Sequence, residues 1–240
     1  KELFEADVVI SMPKVKTHQK TGITCALKNL VGVNGDKDYL PHHRIGGVGF
    51  GGDCYPGKNI FRLGTEYLLD MANRRQGKFL YKPLVFSATV IWKLSIPKKV
   101  HDLAAAWHGN DTTWRMVMDL NKIAVYGKSD GTIASTPQRQ LFSLCDGIIG
   151  GQGDGPLRPE PLPLGIISFT NHSGLNDICM ATLMGFDYKK IPLLAHQKIN
   201  LTSIDTEIML DGAKVNLTEL AKQSIETLPP PGWVEYLRKS

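Results

Sequence analysis

The chain has 240 residues, of which 42% are hydrophobic, and this is enough apolar material to build the core of a folded domain. Its formal net charge of +5 is modest, and its basic residues are spread along the chain apart from one cluster at Lys14, Lys16, His18 and Lys20. This distribution lacks the basic stripe of nucleic-acid-binding proteins, so we expect no nucleic acid partner and favour an anionic small molecule.

The chain has four cysteines, and no two of them form a Cys-x-x-Cys pair. The sequence therefore predicts neither a zinc ribbon nor an iron–sulfur cluster in this chain. Free thiols favour a reducing compartment, and we expect a cytoplasmic protein. The first residues include neither an initiator methionine nor a signal-like apolar region, which predicts that an N-terminal part of the protein is missing.

The stretch from Met12 to Gly32 carries most of the charged and polar residues that could do chemistry. The apolar run 8–10 before it is typical of a buried strand. Pro13 interrupts that strand, so we expect residues 14–22 to form a polar loop and residues 23–31 to form a short helix. Free N–H groups at the start of this helix would favour an anion at the strand end.

His18 and Lys28 are the candidate catalytic residues of this stretch. A histidine has an unperturbed pKa of about 6.5 and can transfer protons near neutral pH. Neighbouring lysines should lower the pKa of Lys28 and make it a better nucleophile or base. Around these two residues, the candidate ligand-binding residues are Lys14, Lys16, Lys20, Thr21 and Thr24, either threonine being placed to cap or line the helix start.

A long irregular stretch, residues 33–57, follows the predicted helix and contains adjacent histidines and several glycines. His42 or His43, with Asp53 and Cys54 nearby, is a candidate ligand of a divalent metal ion. Adjacent side chains on an extended segment point to opposite sides, so only one of the two histidines is expected at a given site.

The second part of the chain contains a strand that leads into a glycine-rich turn. Residues 141–144 are predicted to form a buried strand, and residues 145–156 a turn with five glycines and two aspartates. Glycine lets an anion approach backbone N–H groups, while carboxylates bind hydroxyls, ammonium groups or cations. The candidate ligand-binding residues of this strand and turn are Asp146, Gly151, Gly153 and Asp154. Arg44, in the irregular stretch 33–57, is a further candidate.

Helical periodicity predicts helices over 59–73, 113–124 and 176–185. The apolar window 83–92 is too short to span a bilayer, so we expect no transmembrane segment and place it as a core helix or strand, with an interfacial segment as the alternative. Together with the apolar runs these helices predict an α/β fold with a largely parallel sheet flanked by helices.

We expect one domain over residues 1–228 followed by a proline-rich tail over 229–240. A division into two sub-lobes near 95–112 remains open because that stretch is irregular. The oligomeric state is not indicated by any pattern in the chain.

Four motifs together resemble the family catalogued as domain of unknown function 362. They are Ala6-Asp-Val-Val-Ile-Ser-Met-Pro-Lys-Val-Lys-Thr-His18, Thr21-Gly-Ile-Thr-Cys-Ala-Leu-Lys-Asn-Leu-Val-Gly32, Asp146-Gly-Ile-Ile-Gly-Gly-Gln-Gly-Asp-Gly-Pro156 and Leu183-Met-Gly-Phe-Asp187. The resemblance extends from the first residue to about Pro192 and implies no settled activity. Many members of that family carry a ferredoxin-like cluster module, which has no counterpart here.

A more distant resemblance links the order of His18, Lys28 and the pair at 42–43 to the nickel-pincer lactate racemase family. Carried over, this resemblance implies that His18 is a proton-transfer base, that Lys28 anchors the pyridinium-derived cofactor, and that His42 or His43 binds nickel. This chain has Cys25-Ala-Leu27 where the racemases place Gly-Gly-Arg.

These observations predict an enzyme that acts on an anionic metabolite, such as a hydroxy acid or a sugar derivative, by isomerase-like or racemase-like proton transfer. The same cations would bind a carboxylate or phosphate without any reaction. A non-catalytic binding module, or the partner subunit of a redox protein, therefore remains the alternative.

Overall fold

The structure, a computed structural model, describes residues 2–36, 39–95, 105–197, 199 and 207–237. It confirms the predicted α/β fold, with a sheet flanked by helices. The strands of the sheet are β1 (Val8–Ser11), β2 (Lys14–His18), β3 (Gly22–Thr24), β4 (Gln140–Gln152), β5 (Glu160–Leu162) and β6 (Ile166–Thr170), and a separate hairpin is formed by β7 (Ile208–Leu210) and β8 (Ala213–Val215).

The long strand β4 organises the sheet. Its first half pairs in parallel with β1 and in antiparallel with β6, and its second half pairs in parallel with β2 and in antiparallel with β5. Strand β3 extends the sheet beyond β2 as the second strand of an antiparallel hairpin. Because β1 and β2 follow one another along the same side of β4, the hairpin lies beside the second half of β4.

The helices are α1 (Glu2–Glu5), α2 (Ala26–Asn29), α3 (Ile60–Asn73), α4 (Tyr81–Ser95), α5 (Thr113–Tyr126), α6 (Ser173–Leu183), α7 (Pro192–Ala195), α8 (Leu217–Ala221) and α9 (Val234–Leu237). The core forms where α2, α5, α6 and α7 meet one another and the sheet. Its fully buried side chains include Val15, Ile23, Val117, Met184 and Ile191. The central strand and helices thereby fix the position of the β2–β3 hairpin.

The predicted loop over 14–22 and the predicted helix over 23–31 are wrong in their boundaries. Residues 14–18 and 22–24 are strands, and the helix covers only Ala26–Asn29 before a 3₁₀ turn, Leu30–Val33. In β2, Val15 and Thr17 are fully buried while the charged residues alternate with them, which is strand periodicity and not that of a loop. Residues 23 and 24 complete the hairpin, so the helix begins later than expected.

The glycine-rich stretch 145–156 was predicted to be a turn, but strand β4 continues through it to Gln152. Glycine is required there by close backbone packing. A Cβ atom at Gly150 would lie 2.9 Å from the carbonyl oxygen of Val15, and one at Gly155 would lie 2.0 Å from that of Thr17. These glycines therefore let β4 and the following turn approach β2.

Helices α3 and α4 form a hairpin that is packed differently from its prediction. The buried residues of α3 are Arg62, Thr65, Glu66 and Ala72, whereas the apolar residues whose helical spacing predicts the buried face, among them Ile60, Tyr67 and Met71, are exposed. The window 83–92 is helical as expected but is not a core helix, since Ala88 alone among those side chains is buried. No described helix has the length and apolar character needed to cross a membrane.

The proline-rich tail packs against the β2–β3 turn. Trp233 is buried, and its Nε1 donates a hydrogen bond to the carbonyl oxygen of Gln19 at 2.7 Å. Residues 96–104, which make up half of the proposed division between sub-lobes, and residues 238–240 of the tail lie outside the described residues.

Candidate functional site

The β2–β3 hairpin and helix α2 bring Lys16, His18, Lys20 and Lys28 together, and we call these four residues the basic cluster. The charges of the three lysines act on one another and on the histidine, because each lysine lowers the pKa of His18, and Lys16 and Lys20 also lower that of Lys28. Strand alternation places Lys16 and His18 on one face of β2, while the turn after the strand carries Lys20. The structure thus unites four of the five basic residues singled out between Met12 and Gly32.

His18 is a buried, neutral imidazole. Its side chain is 6% exposed, and burial together with the charges of Lys28 and Lys20 lowers its pKa to about 2. Nδ1 accepts a hydrogen bond from the backbone N–H of Lys20 at 3.0 Å, which assigns the ring proton to Nε2. At neutral pH this ring can therefore donate a hydrogen bond through Nε2 but is a weak base.

Lys28 is a largely buried amine without an acidic partner among the described residues. Burial, followed by the charges of Lys20 and Lys16, lowers its pKa from 10.5 to about 8. At pH 7 a pKa of about 8 leaves roughly one molecule in ten with a neutral amine. A neutral amine is the form that acts as a base or nucleophile.

Lys20 links the basic cluster to a second group of side chains. Burial lowers its pKa, while Cys54, Glu66 and Asp53 act in the opposite direction. Lys16 is partly exposed, and its Nζ lies 3.5 Å from the carbonyl oxygen of Pro156. The basic cluster therefore contains ammonium groups of graded burial around a single neutral histidine.

The N-terminus of α2 does not offer the free N–H groups expected from the sequence. The backbone N–H groups of Ala26 and Leu27 donate to the carboxylate of Asp177 at 2.8 Å and 3.0 Å. Asp177 is fully buried, and burial raises its pKa to about 6. This carboxylate occupies the position that was predicted to attract an anion, so ligand binding falls to the side chains of the basic cluster.

The two candidate threonines near this helix have different environments. The hydroxyl of Thr21 donates to the carbonyl oxygen of Ile23 at 3.0 Å and closes the hairpin turn. The hydroxyl oxygen of Thr24 is buried and has no hydrogen-bonding partner within the described part of the chain. Neither hydroxyl caps α2.

The stretch that contains His42, His43 and Arg44 is held in place by the buried carboxylate of Asp53. That carboxylate accepts hydrogen bonds from the backbone N–H of Arg44 at 2.6 Å, from the backbone N–H of Asp111 at 3.0 Å and from the hydroxyl of Thr112 at 2.5 Å. The side chain of Arg44 is partly exposed and faces Asp111, at 3.6 Å. Asp53 therefore has a structural role that the sequence did not reveal.

The two adjacent histidines take part in different environments, as expected for an extended segment. His42 contributes to the low pKa of His18, and its Nδ1 donates to the carbonyl oxygen of Leu40 at 2.8 Å. His43 lies with Cys54 and Glu66, and one ligand atom from each lies within 4.8 Å of the other two. We call His43, Cys54 and Glu66 the donor triad.

Glu66 is not among the residues predicted from the sequence, because the periodicity of residues 59–73 indicates a helix and no chemical role for its acidic side chain. It is 3% exposed and lies on the inward-facing side of α3. The sequence does hold one indication of its role. Arg62, Thr65 and Glu66 lie on one face of the helix and are all polar. A helix that buries polar side chains must supply them with partners in the interior.

The glycine-rich stretch contributes little charge to the basic cluster. Asp146 pairs with Lys14 at 2.6 Å, and both side chains are about half exposed, at 50% and 49%. Asp154 accepts a hydrogen bond from the side chain of Gln19. The carbonyl oxygen of Gly153 accepts one from the hydroxyl of Thr17 at 3.0 Å.

Gly151 faces Lys16 across the β2–β4 ladder, and a Cβ atom there would lie 2.9 Å from the Cβ of that lysine. A side chain at position 151 would therefore displace one wall of the basic cluster.

The residues around Lys28 fit only part of the nickel-pincer arrangement. An amine without an acidic partner among the described residues, beside a neutral histidine, suits covalent attachment of a carbonyl-bearing cofactor. The three residues before it are buried in the core and do not offer the polar surface of a Gly-Gly-Arg turn. The cofactor itself therefore stays a prediction.

Comparisons with known proteins give one match. A family model described as "Domain of unknown function (DUF362)" matches residues 1–182, which include the whole basic cluster, the donor triad and most of helix α6. No curated protein and no solved structure matches the chain.

Proposed function

This chain belongs to the family described as domain of unknown function DUF362, and we propose that it binds an anionic small metabolite at the basic cluster and acts on it by proton transfer. A hydroxy acid or a sugar acid has the required carboxylate, together with a C–H bond whose acidity that carboxylate and its ammonium partners would control. The proposed reaction class is an isomerase-like or racemase-like exchange of that proton.

The observation that carries this proposal is the burial of Lys28 without a compensating acid among the residues that the structure describes. Burying an ammonium group without an acidic partner is costly, and proteins normally pair or neutralise such a charge. Lys28 instead faces further positive charge from Lys20 and Lys16. A bound carboxylate would supply the missing negative charge, and perturbed ionisable groups of this kind concentrate at functional sites.

The ionisation of the two candidate catalytic residues favours a particular division of labour. Lys28, with a pKa of about 8, is the better base near neutral pH than His18, with a pKa of about 2. In its neutral form Lys28 accepts the substrate proton and becomes an ammonium, which then returns a proton to the carbanion. His18 donates a hydrogen bond through Nε2, and Lys20 and Lys16 hold the carboxylate.

Binding can be tested with a panel of hydroxy acids and sugar acids by isothermal titration calorimetry. We expect Lys28→Met to lower the affinity for the tightest anion at least tenfold. Lys14→Met is the matched control, because Lys14 is an exposed strand lysine already paired with Asp146. If Lys28→Met and His18→Gln both remain folded and bind every anion as the unmodified protein does, the proposed site is wrong.

Catalysis can be tested separately by incubating the bound acid in D2O and following its C–H signal by NMR. Proton transfer through Lys28 predicts deuterium incorporation that is lost in Lys28→Met and retained in Lys14→Met. Binding without any exchange would support the alternative, a non-catalytic anion-binding module, and would refute the proposed reaction.

A further inference from the structure

Three side chains with different donor atoms meet next to the basic cluster without belonging to it. We propose that the donor triad of His43, Cys54 and Glu66 binds a divalent metal ion of the zinc type. One ligand atom of each residue lies within 4.8 Å of the others, and Cys54 and Glu66 are 0% and 3% exposed. This inference does not depend on the proposed anion chemistry, because metal binding is measured without any anion.

The combination of donors favours zinc among the common divalent metals. Imidazole nitrogen, thiolate sulfur and carboxylate oxygen are all zinc ligands, whereas magnesium and calcium prefer oxygen alone. Zinc–ligand distances of about 2.0–2.3 Å place tetrahedral ligand atoms about 3.5 Å apart, so small side-chain rotations suffice to close the triad around an ion. Three protein ligands leave a fourth position for water or an anion.

A second observation points independently to a missing partner at this place. The Nδ1 atom of His43 is buried and makes no hydrogen bond with any described residue. Buried polar atoms are nearly always satisfied, so an unsatisfied nitrogen on the imidazole ring of the triad indicates that this ring has a further partner. A metal ion would satisfy this atom directly.

The loop that carries two of the donors is already rigidly placed. Asp53 fixes the backbone next to Cys54 through its hydrogen bonds to Arg44 and Thr112. The Cys54 thiol donates to the carbonyl oxygen of Arg44 at 3.3 Å. Metal binding would replace this thiol proton, which leaves to solvent, and the resulting thiolate would bind the ion. The donor set thus differs from the pair His42 and Asp53, which make hydrogen bonds to the backbone of Leu40 and Asp111.

The charges of the site are compatible with an ion. Lys20 carries one positive charge near Glu66 and Cys54. With a divalent ion bound, the thiolate and the carboxylate cancel the charge of the metal, so the occupied triad adds no negative charge beside Lys20. An occupied triad would therefore keep the neighbouring basic cluster attractive to anions.

The full chain can be tested by purification without a metal-affinity step, saturation with zinc, removal of excess ion and elemental analysis. We expect about one zinc per chain, with an affinity that Cys54→Ala, Glu66→Gln or His43→Asn each lowers at least tenfold. Cys179→Ala is the matched control, because Cys179 is also buried and burial raises the pKa of both thiols to about 12. It should retain full zinc binding.

Cobalt substitution of the unmodified chain provides a measurement that does not depend on how the variants fold. Coordination by Cys54 predicts a sulfur-to-cobalt charge-transfer band in the near ultraviolet that persists in Cys179→Ala. Absence of that band, absence of stoichiometric zinc, or unchanged affinity in all three folded triad variants would overturn the proposal.

Discussion

Replacing Lys28 with methionine should stabilise the protein while weakening its anion binding. Methionine has nearly the same length as lysine and removes only the buried charge. The pKa of Lys28 falls from 10.5 to about 8 in the folded chain, mainly through burial. A shift of this size corresponds to roughly 3 kcal/mol of unfavourable free energy at pH 7. Part of the side chain reaches solvent, so we expect Lys28→Met to raise the free energy of unfolding by about 1–3 kcal/mol.

The pH dependence identifies the cause of this stabilisation. Because the folded pKa of Lys28 is below its unfolded value, the unfolded chain binds more protons between about pH 8 and pH 10.5. The stability of the unmodified protein therefore rises with pH across this window. The advantage of Lys28→Met should be largest below pH 8 and should fall to roughly half or less by pH 9.5.

Urea unfolding at pH 7 and pH 9.5, followed by tryptophan fluorescence, measures both quantities. Lys14→Met is the control and should change stability by less than about 1 kcal/mol, because exposed ion pairs contribute little. The reasoning is refuted if Lys28→Met destabilises the chain at pH 7, or if its effect is the same at both pH values.

Three further predictions follow from other residues. His18 has a pKa of about 2 in the folded chain but is protonated in the unfolded chain near pH 5, so lowering the pH from 7 to 5 should reduce the free energy of unfolding by about 2 kcal/mol on account of this residue. In His18→Gln the reduction should be smaller by that amount, as measured by urea unfolding at both pH values. Asp177→Ala removes the acceptor of two buried N–H groups of α2 and should lower the free energy of unfolding by about 2–4 kcal/mol. An added anion should not restore this lost stability. Gly155→Ala should destabilise the chain far more than Gly153→Ala, because its Cβ would lie 2.0 Å from a carbonyl oxygen whereas the Cβ at Gly153 meets nothing within 4 Å and is opposed only by a φ of +71°; thermal unfolding of both variants checks this order.

The basic cluster could be anticipated from the sequence because its members are close along the chain. Lys16, His18 and Lys20 alternate over five positions, and Lys28 follows after a short turn. Their local structure was mistaken for a loop, since a strand with charged residues on one face and only Val15 and Thr17 on the other has few apolar positions to reveal it. The sequence therefore predicted which residues cluster but not the backbone structure that carries them.

Contacts between residues far apart along the chain could not be predicted from the sequence. Asp177 lies about 150 positions from Ala26 and Leu27, whose N–H groups donate to its carboxylate, and an acidic residue near the start of a helix is explained equally well by the helix dipole. Glu66 lies on a helix whose apolar residues suggested a different inward face. In both cases tertiary packing decides which side of a helix is buried, and periodicity identifies the helix but not its neighbours.

The most direct test of the central claim is a measurement of the Lys28 pKa in the folded protein. Reductive 13C-methylation of the lysines, assigned with Lys28→Met, allows NMR titration of this amine in the absence and presence of the best-bound hydroxy acid or sugar acid. We predict a pKa of about 8 without the anion and a clear upward shift when it binds, because a carboxylate stabilises the ammonium form. A pKa near 10.5 that no anion changes would contradict the account.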